Sequence, residues 1–191
     1  MLVHYLQEKF REDPRFSVQH GDVLRADLSQ WGPVQVAGNL PYYITSPIIE
    51  RVLALGSNLL HAVFLIQKEV AERVVAQPGS RDYGFLSVQV QVYAEPKYLF
   101  TVPPDAFRPP PQVHSAVIEL TPRSVPVADD PKGLIQFAGL CFRQKRKMLR
   151  NNLAGAFPNE AINAQPEARL RAEQLSVAQL ADLRDRILKY S

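Results

Sequence analysis

The 191-residue sequence predicts an α/β fold, a parallel sheet with helices on both faces, followed by a small all-helical domain. Two observations carry this prediction. Over residues 1–122, apolar runs alternate with amphipathic segments, as is typical of a parallel sheet covered by helices. After residue 122, apolar positions recur at helical spacing. We therefore predict two domains, residues 1–122 and residues 123–191.

The first elements follow from apolar spacing and capping residues. In chain order we predict a helix over 2–12, a strand over 16–18, a strand over 34–38, a helix from Ser46, a strand over 62–66 and a helix over 69–76. The strand over 62–66 is apolar throughout and is therefore placed at the centre of the sheet. Ser46 is expected to cap its helix because Pro47 then occupies the first helical position, where its missing N–H costs nothing.

In the rest of the first domain, one segment fits both a strand and a helix. Residues 86–92 alternate as a strand does, yet Leu86 and Val90 also fit a helix, so the pattern leaves both open. Two further strands are predicted over 98–102 and 116–120. A proline-rich loop joins them, and we place them as an antiparallel pair at the edge of the sheet.

The predicted helical domain begins after a boundary segment, residues 121–132, that contains three prolines. Residues 134–153 form one long helix or two. Ser176 and Gln179 match a capping box that opens the last helix. Cys141 lies among apolar positions and is expected to be a small core residue.

The composition limits the class of protein. The chain is 46% hydrophobic and 21% charged, as is usual for a globular protein. It has no apolar run near the roughly 18 residues that span a membrane, and no pattern of a secretory signal. The lone Cys141 fits a reducing compartment, and the four histidines lack metal-ligand spacing. We therefore expect a cytoplasmic protein with no metal and no membrane partner.

Positive charge is concentrated in the second predicted domain. Residues 1–122 have 10 Lys and Arg against 12 Asp and Glu, a net charge of −2, whereas residues 123–191 have 12 against 7, a net charge of +5. Such a division favours a polyanionic partner held mainly by the second domain. Charge alone is also compatible with an ordinary solvated helical face.

The segment Asn39-Leu40-Pro41-Tyr42 directly follows a predicted strand. The Asn39 side-chain oxygen and the Leu40 carbonyl are two acceptors for both N–H groups of an exocyclic amine. Pro41 restricts Leu40 and so helps to aim that carbonyl, while Tyr42 offers a ring on which a base can stack. This pattern predicts an adenine methyltransferase that takes its base out of the stack. A turn with a packed tyrosine remains the alternative.

Five segments together resemble the ribosomal-RNA adenine dimethyltransferases of the KsgA type. They are Asn39–Ile49, Phe64–Val70, Tyr83–Val88, Phe107–Val117 and Phe142–Leu153. These segments occur in the family's order and extend over nearly the whole chain. The resemblance implies a Rossmann-like methyltransferase sheet that uses S-adenosylmethionine, followed by a helical RNA-binding domain.

The resemblance also implies roles for individual residues. Residues 39–42 would form the catalytic loop and Phe107 a second aromatic wall for the target adenine. Asp22 would contact the adenine of S-adenosylmethionine, with Asn39 at the transfer point. The implied substrate is small-subunit ribosomal RNA in an immature subunit, with a role in ribosome assembly. For Phe107 a core aromatic, and for Asp22 an ordinary loop aspartate, are the alternatives.

One part of the family pattern is not among the 191 residues. The glycine-rich loop that wraps the methionine end of the cofactor is absent, as is the acidic residue for the cofactor ribose. We therefore expect an N-terminally truncated sheet and a half-built cofactor pocket. This departure keeps open a non-catalytic RNA-binding or ribosome-assembly module. A DNA adenine methyltransferase is a further alternative, although the proline-rich and basic segments favour RNA.

The basic segment has helical geometry with one misfit. Placed on a helix from Leu134, Arg143, Arg146, Lys147 and Arg150 form one stripe suited to an RNA backbone. Lys145 falls on the apolar side. Either its stem snorkels or the helix breaks there, and we expect a break. These five basic residues are the predicted RNA-binding set.

Overall fold

A computed structural model describes residues 2–190 and contains one four-stranded sheet. In chain order its strands are β1 (Val34–Asn39), β2 (Leu59–Gln67), β3 (Ala94–Val102) and β4 (Ser115–Pro122), and their order across the sheet is β1-β2-β4-β3. β1 and β2 are parallel, whereas β2–β4 and β4–β3 are antiparallel. The predicted central strand and the predicted antiparallel pair at the edge are both present.

Helices precede, connect and follow these strands. They are α1 (Leu2–Lys9), α2 (Thr45–Leu53), α3 (Lys68–Val75), α4 (Phe85–Gln91), α5 (Pro131–Cys141), α6 (Leu149–Leu153), α7 (Asn159–Asn163) and α8 (Val177–Lys189). The part of the chain after β4 is thus helical within the described residues, apart from isolated bridges. Ser176 caps α8, because its hydroxyl accepts from the Gln179 amide and its own amide donates to the Gln179 side chain.

The two faces of β2 differ in burial. In β2, Ala62, Phe64 and Ile66 are inaccessible to solvent, whereas the alternate residues are half-buried. The buried side chains form a core with α2, α3 and α4. On the opposite face, His61 Nε2 lies 3.2 Å from Glu119 Oε1. The sequence predicted helices on both faces, but within residues 2–190 one side of β2 is covered more completely than the other.

The strand register brings four chain segments to one end of the sheet. Asn39, the last residue of β1, is level with Leu65 of β2. Gln67, at the end of β2, is level with Ser115, the first residue of β4, and so is Val102 at the end of β3. In open α/β sheets, ligands bind beyond the carboxyl ends of the parallel strands. The loop after β1 is therefore in the position where a ligand site is expected.

Two local predictions are corrected, and one that was left open is decided. Residues 16–18 have no strand structure, because no neighbouring strand among the described residues pairs with them. α2 begins at Thr45 and not after a Ser46 cap; the Thr45 hydroxyl instead donates to the Pro41 carbonyl at 3.1 Å. Residues 85–91 are helical, which decides the pattern that the sequence left open.

The helical part has its own hydrophobic cluster, in which Cys141 is fully buried. Burial raises the pKa of the Cys141 thiol to about 12, so the neutral form persists well above neutral pH. Tyr83, Val88 and Val92 pack into the same cluster although they precede residue 122. The division at residue 122 stays a prediction. No helix within residues 2–190 has the length and apolar character needed to cross a bilayer.

Candidate adenine pocket and basic loop

An open cavity of about 320 Å³ lies beyond the end of β1. We call it the Asn39 pocket; its lining residues are Asn39, Leu40, Pro41, Tyr42, Phe107, Pro109 and Pro111. Two segments that are far apart in sequence thus meet here: the loop after β1 and the proline-rich loop between β3 and β4. All five residues that the sequence assigned to the catalytic site are among them.

The strand end holds the first of these residues. The Leu40 amide donates to the Leu65 carbonyl at 3.0 Å, so the β1–β2 pairing continues one residue past Asn39. The Leu40 side chain is buried in the sheet core. Gly38 allows this packing, because a Cβ there would come within 2.9 Å of Leu40 Cδ2. The exposed Asn39 side chain has no hydrogen-bond partner within residues 2–190 and is free to accept from a ligand.

Tyr42 is fixed by a contact that the sequence did not reveal. Its hydroxyl shares a hydrogen bond of 2.6 Å with the hydroxyl of Ser115, which is fully buried at the start of β4. Tyr42 also begins a short 3-10 turn, Tyr42–Ile44, in which the Ile44 amide donates to the Pro41 carbonyl. The ring therefore has a defined position at the pocket wall.

Asp22 lies in a turn outside the Asn39 pocket. Its carboxylate accepts from the Leu24 amide at 2.9 Å, which is the capping arrangement of an ordinary loop aspartate. Arg51 of α2 ties this turn to the sheet domain by donating to the carbonyls of Val23 and Ala26. The carboxylate remains partly exposed, with Arg25 3.7 Å away. Asp22 is thus held in place, but the described contacts do not join it to Asn39.

The basic residues lie on a loop and not on a helical stripe. α5 ends at Cys141 and α6 starts at Leu149, so the break begins earlier than Lys145; we call residues 142–148 the basic loop. Arg143, Arg146 and Lys147 are exposed there and have no side-chain partner within residues 2–190.

The other two predicted cations differ from these three in position or in pairing. Arg150 is exposed on the adjoining α6 and likewise has no side-chain partner among the described residues. Lys145 differs from the other four, since its ammonium donates to the Arg81 carbonyl at 2.5 Å and lies 3.7 Å from Glu173. Four free cations therefore face solvent, while Lys145 anchors the loop.

Asn152, which sequence reasoning missed, organises the basic loop. Its buried carboxamide donates to the carbonyls of Cys141 at 2.7 Å and Gln144 at 3.1 Å, and accepts from the Gln144 amide at 3.2 Å. One side chain thus satisfies three backbone groups of the turn that follows α5. Asn152 belongs to the segment Phe142–Leu153 that carries the family resemblance. That membership is the feature of the sequence that could have marked Asn152 as a functional residue.

Within residues 2–190, no group of three or more His, Cys, Asp or Glu side chains is arranged to hold a metal ion. A second cavity, of about 310 Å³, lies between α2, α4 and α5 and shares no residue with the Asn39 pocket. Its lining includes Ile49, Leu53 and Val90 and is mostly apolar. Polar groups suited to orienting a base are found at the Asn39 pocket.

Two solved structures share this fold. A dimethyladenosine transferase from Plasmodium falciparum superposes with a TM-score of 0.84 and 21% identity, covering 99% of this chain and 78% of the other. The 23S rRNA methyltransferase ErmE superposes with a TM-score of 0.74 and 24% identity, covering 97% and 78%. The sheet and the pocket at its strand ends thus define a Rossmann-like methyltransferase fold, as predicted.

Sequence comparison identifies the family within this class. The model of the family described as ribosomal RNA adenine dimethylase matches residues 1–189. Ribosomal RNA small subunit methyltransferase A of Acinetobacter baylyi is 38% identical over 190 residues, 96% of this chain and 69% of the relative. The protein of the same name from Acidobacterium capsulatum is 43% identical over 194 residues, with 95% and 69% coverage. This chain belongs to the ribosomal RNA adenine dimethylase family.

Proposed function

We propose that this chain methylates the exocyclic amine of adenine in small-subunit ribosomal RNA, as an enzyme that contributes to ribosome assembly. The observation that carries the proposal is the composition of the Asn39 pocket. One open cavity is lined by the free carboxamide of Asn39, by the ring of Phe107 and by Tyr42, whose hydroxyl is bonded to Ser115. Family membership supplies the reaction class. The relatives named for the small subunit support that RNA as the substrate.

The pocket residues act on the adenine amine. Asn39 Oδ1 and the Leu40 carbonyl accept its two N–H groups, which directs the nitrogen lone pair away from the ring. Tyr42 and Phe107 stack on the extruded base, replacing part of the stacking lost when it leaves the RNA. No strong general base is required, because the amine sheds its proton after transfer.

S-adenosylmethionine is the proposed cofactor, and when bound it supplies the methyl group. The residues present suit part of this molecule. Asn39 has an unpartnered carboxamide at the transfer point. The Asp22 carboxylate, in a turn whose backbone Arg51 holds, is partly exposed for the cofactor adenine. These two residues are the proposed cofactor contacts of the described chain.

The proposed RNA contact of the second domain is the basic loop with Arg150. Its four unpartnered cations suit phosphate groups, whose neutralisation dominates the affinity of proteins for nucleic acid. Lys145 contributes through loop position, since it is already paired. The immature small subunit is the proposed partner in the cell.

Methyl transfer to RNA tests the proposal. Labelled S-adenosylmethionine is incubated with small subunits isolated from cells lacking this activity, and label in the RNA is measured. Asn39→Ala is expected to abolish incorporation while RNA binding stays near the wild-type level, because Asn39 contacts the amine and not the phosphates. Incorporation by Asn39→Ala at the wild-type rate would remove Asn39 from the mechanism.

Two controls separate the alternative functions. Calorimetric titration with S-adenosylmethionine is expected to show binding, and no binding would favour the non-catalytic RNA-binding module. Duplex DNA in place of small subunits is expected to take up no label. Label in DNA but not in RNA would favour the DNA methyltransferase.

A further inference from the structure

Tyr43 is the most exposed of the large apolar side chains in the described chain, with 87% of its surface accessible. Its ring makes no aromatic contact and its hydroxyl no hydrogen bond within residues 2–190. The backbone that carries it is nevertheless fixed. Tyr42 before it is bonded to Ser115, and Ile44 after it packs against the sheet core. The fold therefore holds an aromatic ring out toward solvent.

Tyr43 directly follows Tyr42, which lines the Asn39 pocket. Consecutive Cα atoms are about 3.8 Å apart, so Tyr43 adjoins the pocket wall that Tyr42 forms. Single exposed aromatic residues are common on protein surfaces. What distinguishes Tyr43 is that the other loop of the pocket also has an exposed, unpartnered side chain next to its lining residues.

That second side chain is Arg108. It lies between Phe107 and Pro109, both of which line the pocket, and it is exposed. No carboxylate lies within ion-pairing distance of its guanidinium in the described residues, and it donates no hydrogen bond there. Each loop of the pocket thus has one exposed, unpartnered side chain next to its lining residues: an aromatic ring in one loop and a guanidinium in the other.

We propose that Tyr43 and Arg108 form a binding subsite for the nucleotide next to the target adenine. Tyr43 stacks on the unpaired neighbouring base, and Arg108 binds a phosphate that flanks the extruded nucleotide. This inference rests on the proposed function, since it assumes that an RNA adenine occupies the Asn39 pocket. The ligand class is single-stranded RNA, because a base inside a duplex has no free face for Tyr43.

The two groups predict different signatures in RNA binding. Stacking of a base on an aromatic residue is worth about 1–3 kcal/mol, so Tyr43→Ala is expected to weaken binding about 5- to 150-fold. Because no charge is lost, the dependence of affinity on salt stays unchanged. Arg108→Ala is expected to reduce the slope of log K against log salt by about 0.7, the value for one phosphate contact in a single strand.

The probe is a single-stranded RNA of about ten nucleotides, a typical length for such sites, with one central adenine and 2-aminopurine beside it. Affinity is measured by anisotropy over a series of salt concentrations, and stacking by 2-aminopurine emission. Tyr43→Phe and Arg108→Lys preserve the ring and the charge, so they are expected to bind like wild type. Tyr190→Ala and Arg11→Ala serve as matched controls, because both side chains lie outside the pocket.

The outcomes distinguish this proposal from the function on which it rests. If wild type binds the RNA but Tyr43→Ala and Arg108→Ala match it in affinity, emission and salt slope, the subsite is overturned and the proposed function stands. If Tyr43→Phe binds the RNA as weakly as Tyr43→Ala does, stacking on the Tyr43 ring is overturned. If wild type does not bind the RNA, the subsite is overturned, and methyl transfer to small subunits decides the proposed function separately.

Discussion

Tyr42 and Ser115 are 73 residues apart in the chain, and one hydrogen bond joins them at the candidate site. Ser115 is fully buried, whereas Tyr42 is half-buried at the pocket wall. A buried hydroxyl that loses its partner costs about 1–3 kcal/mol. The bond therefore gives the Tyr42 ring one position, in which it can face a base.

Removal of either hydroxyl tests this role. Tyr42→Phe and Ser115→Ala are each expected to weaken binding of an adenine-containing single-stranded RNA about fivefold, the equivalent of about 1 kcal/mol. The double variant is expected to be no weaker than either single variant, because both changes remove the same bond. The measurement is a double-mutant cycle on affinity. Fully additive losses would show that Ser115 does not act through Tyr42.

The basic loop shows how one buried side chain shapes an element. Residues 142–148 leave the helical path after Cys141, and the Asn152 carboxamide satisfies three backbone groups that this exit exposes. Leu149 restarts the helix with its amide bonded to the Leu170 carbonyl at 2.8 Å. The free cations Arg143, Arg146 and Lys147 thus lie on a turn whose backbone is held by Asn152.

Asn152→Ala tests that bracing. The change leaves the Gln144 amide and two carbonyls without their partner, so we expect the free energy of unfolding to fall by roughly 1–3 kcal/mol. Amide exchange at Gln144 should accelerate and RNA affinity should fall. Urea unfolding, hydrogen exchange and anisotropy measure these three effects.

The neighbouring Asn151 provides the control for this prediction. Asn151 is exposed and its side chain has no partner in the described residues, so Asn151→Ala is expected to change unfolding by no more than about 0.5 kcal/mol. Equal destabilisation by the two alanine variants would contradict the bracing role of Asn152.

At the scale of the whole molecule, α4 links the two hydrophobic clusters. Val88 and Val92 pack into the cluster of the helical part, whereas Val90 packs into the sheet core. Tyr93 contacts both clusters, and burial is the main cause that raises its pKa above the usual value. The two predicted domains therefore share a helix, and we expect them to unfold together.

Val88→Ala tests this coupling. Loss of two buried carbon atoms is expected to cost about 1.5–3 kcal/mol and to shift a single urea transition seen by circular dichroism. Val125→Ala, at a site with 74% exposure, is the matched control and should have little effect. Two separate transitions, with only one of them shifted by Val88→Ala, would contradict a shared core.

The sequence predicted those features that depend on neighbours along the chain. Strands β1 and β2, the edge pair, the capping of α8 and the segment Asn39–Tyr42 all have local patterns of apolar spacing, prolines or polar caps. Residues 86–92 show the limit of such patterns. Their apolar positions fit both the period of a strand and the period of a helix. Burial between the two hydrophobic clusters is what makes these residues helical.

The sequence by itself determined the family, most of the elements and the loop Asn39–Tyr42 that we propose binds the target adenine. Tertiary structure alone decided which buried groups support the two loops: Ser115 bonds to Tyr42, and Asn152 bonds to backbone groups of the basic loop. The physical reason is that a hydrogen bond or a shared pocket depends on distance in space. Such distances are set by strand register and helix packing, which spacing along the chain does not record.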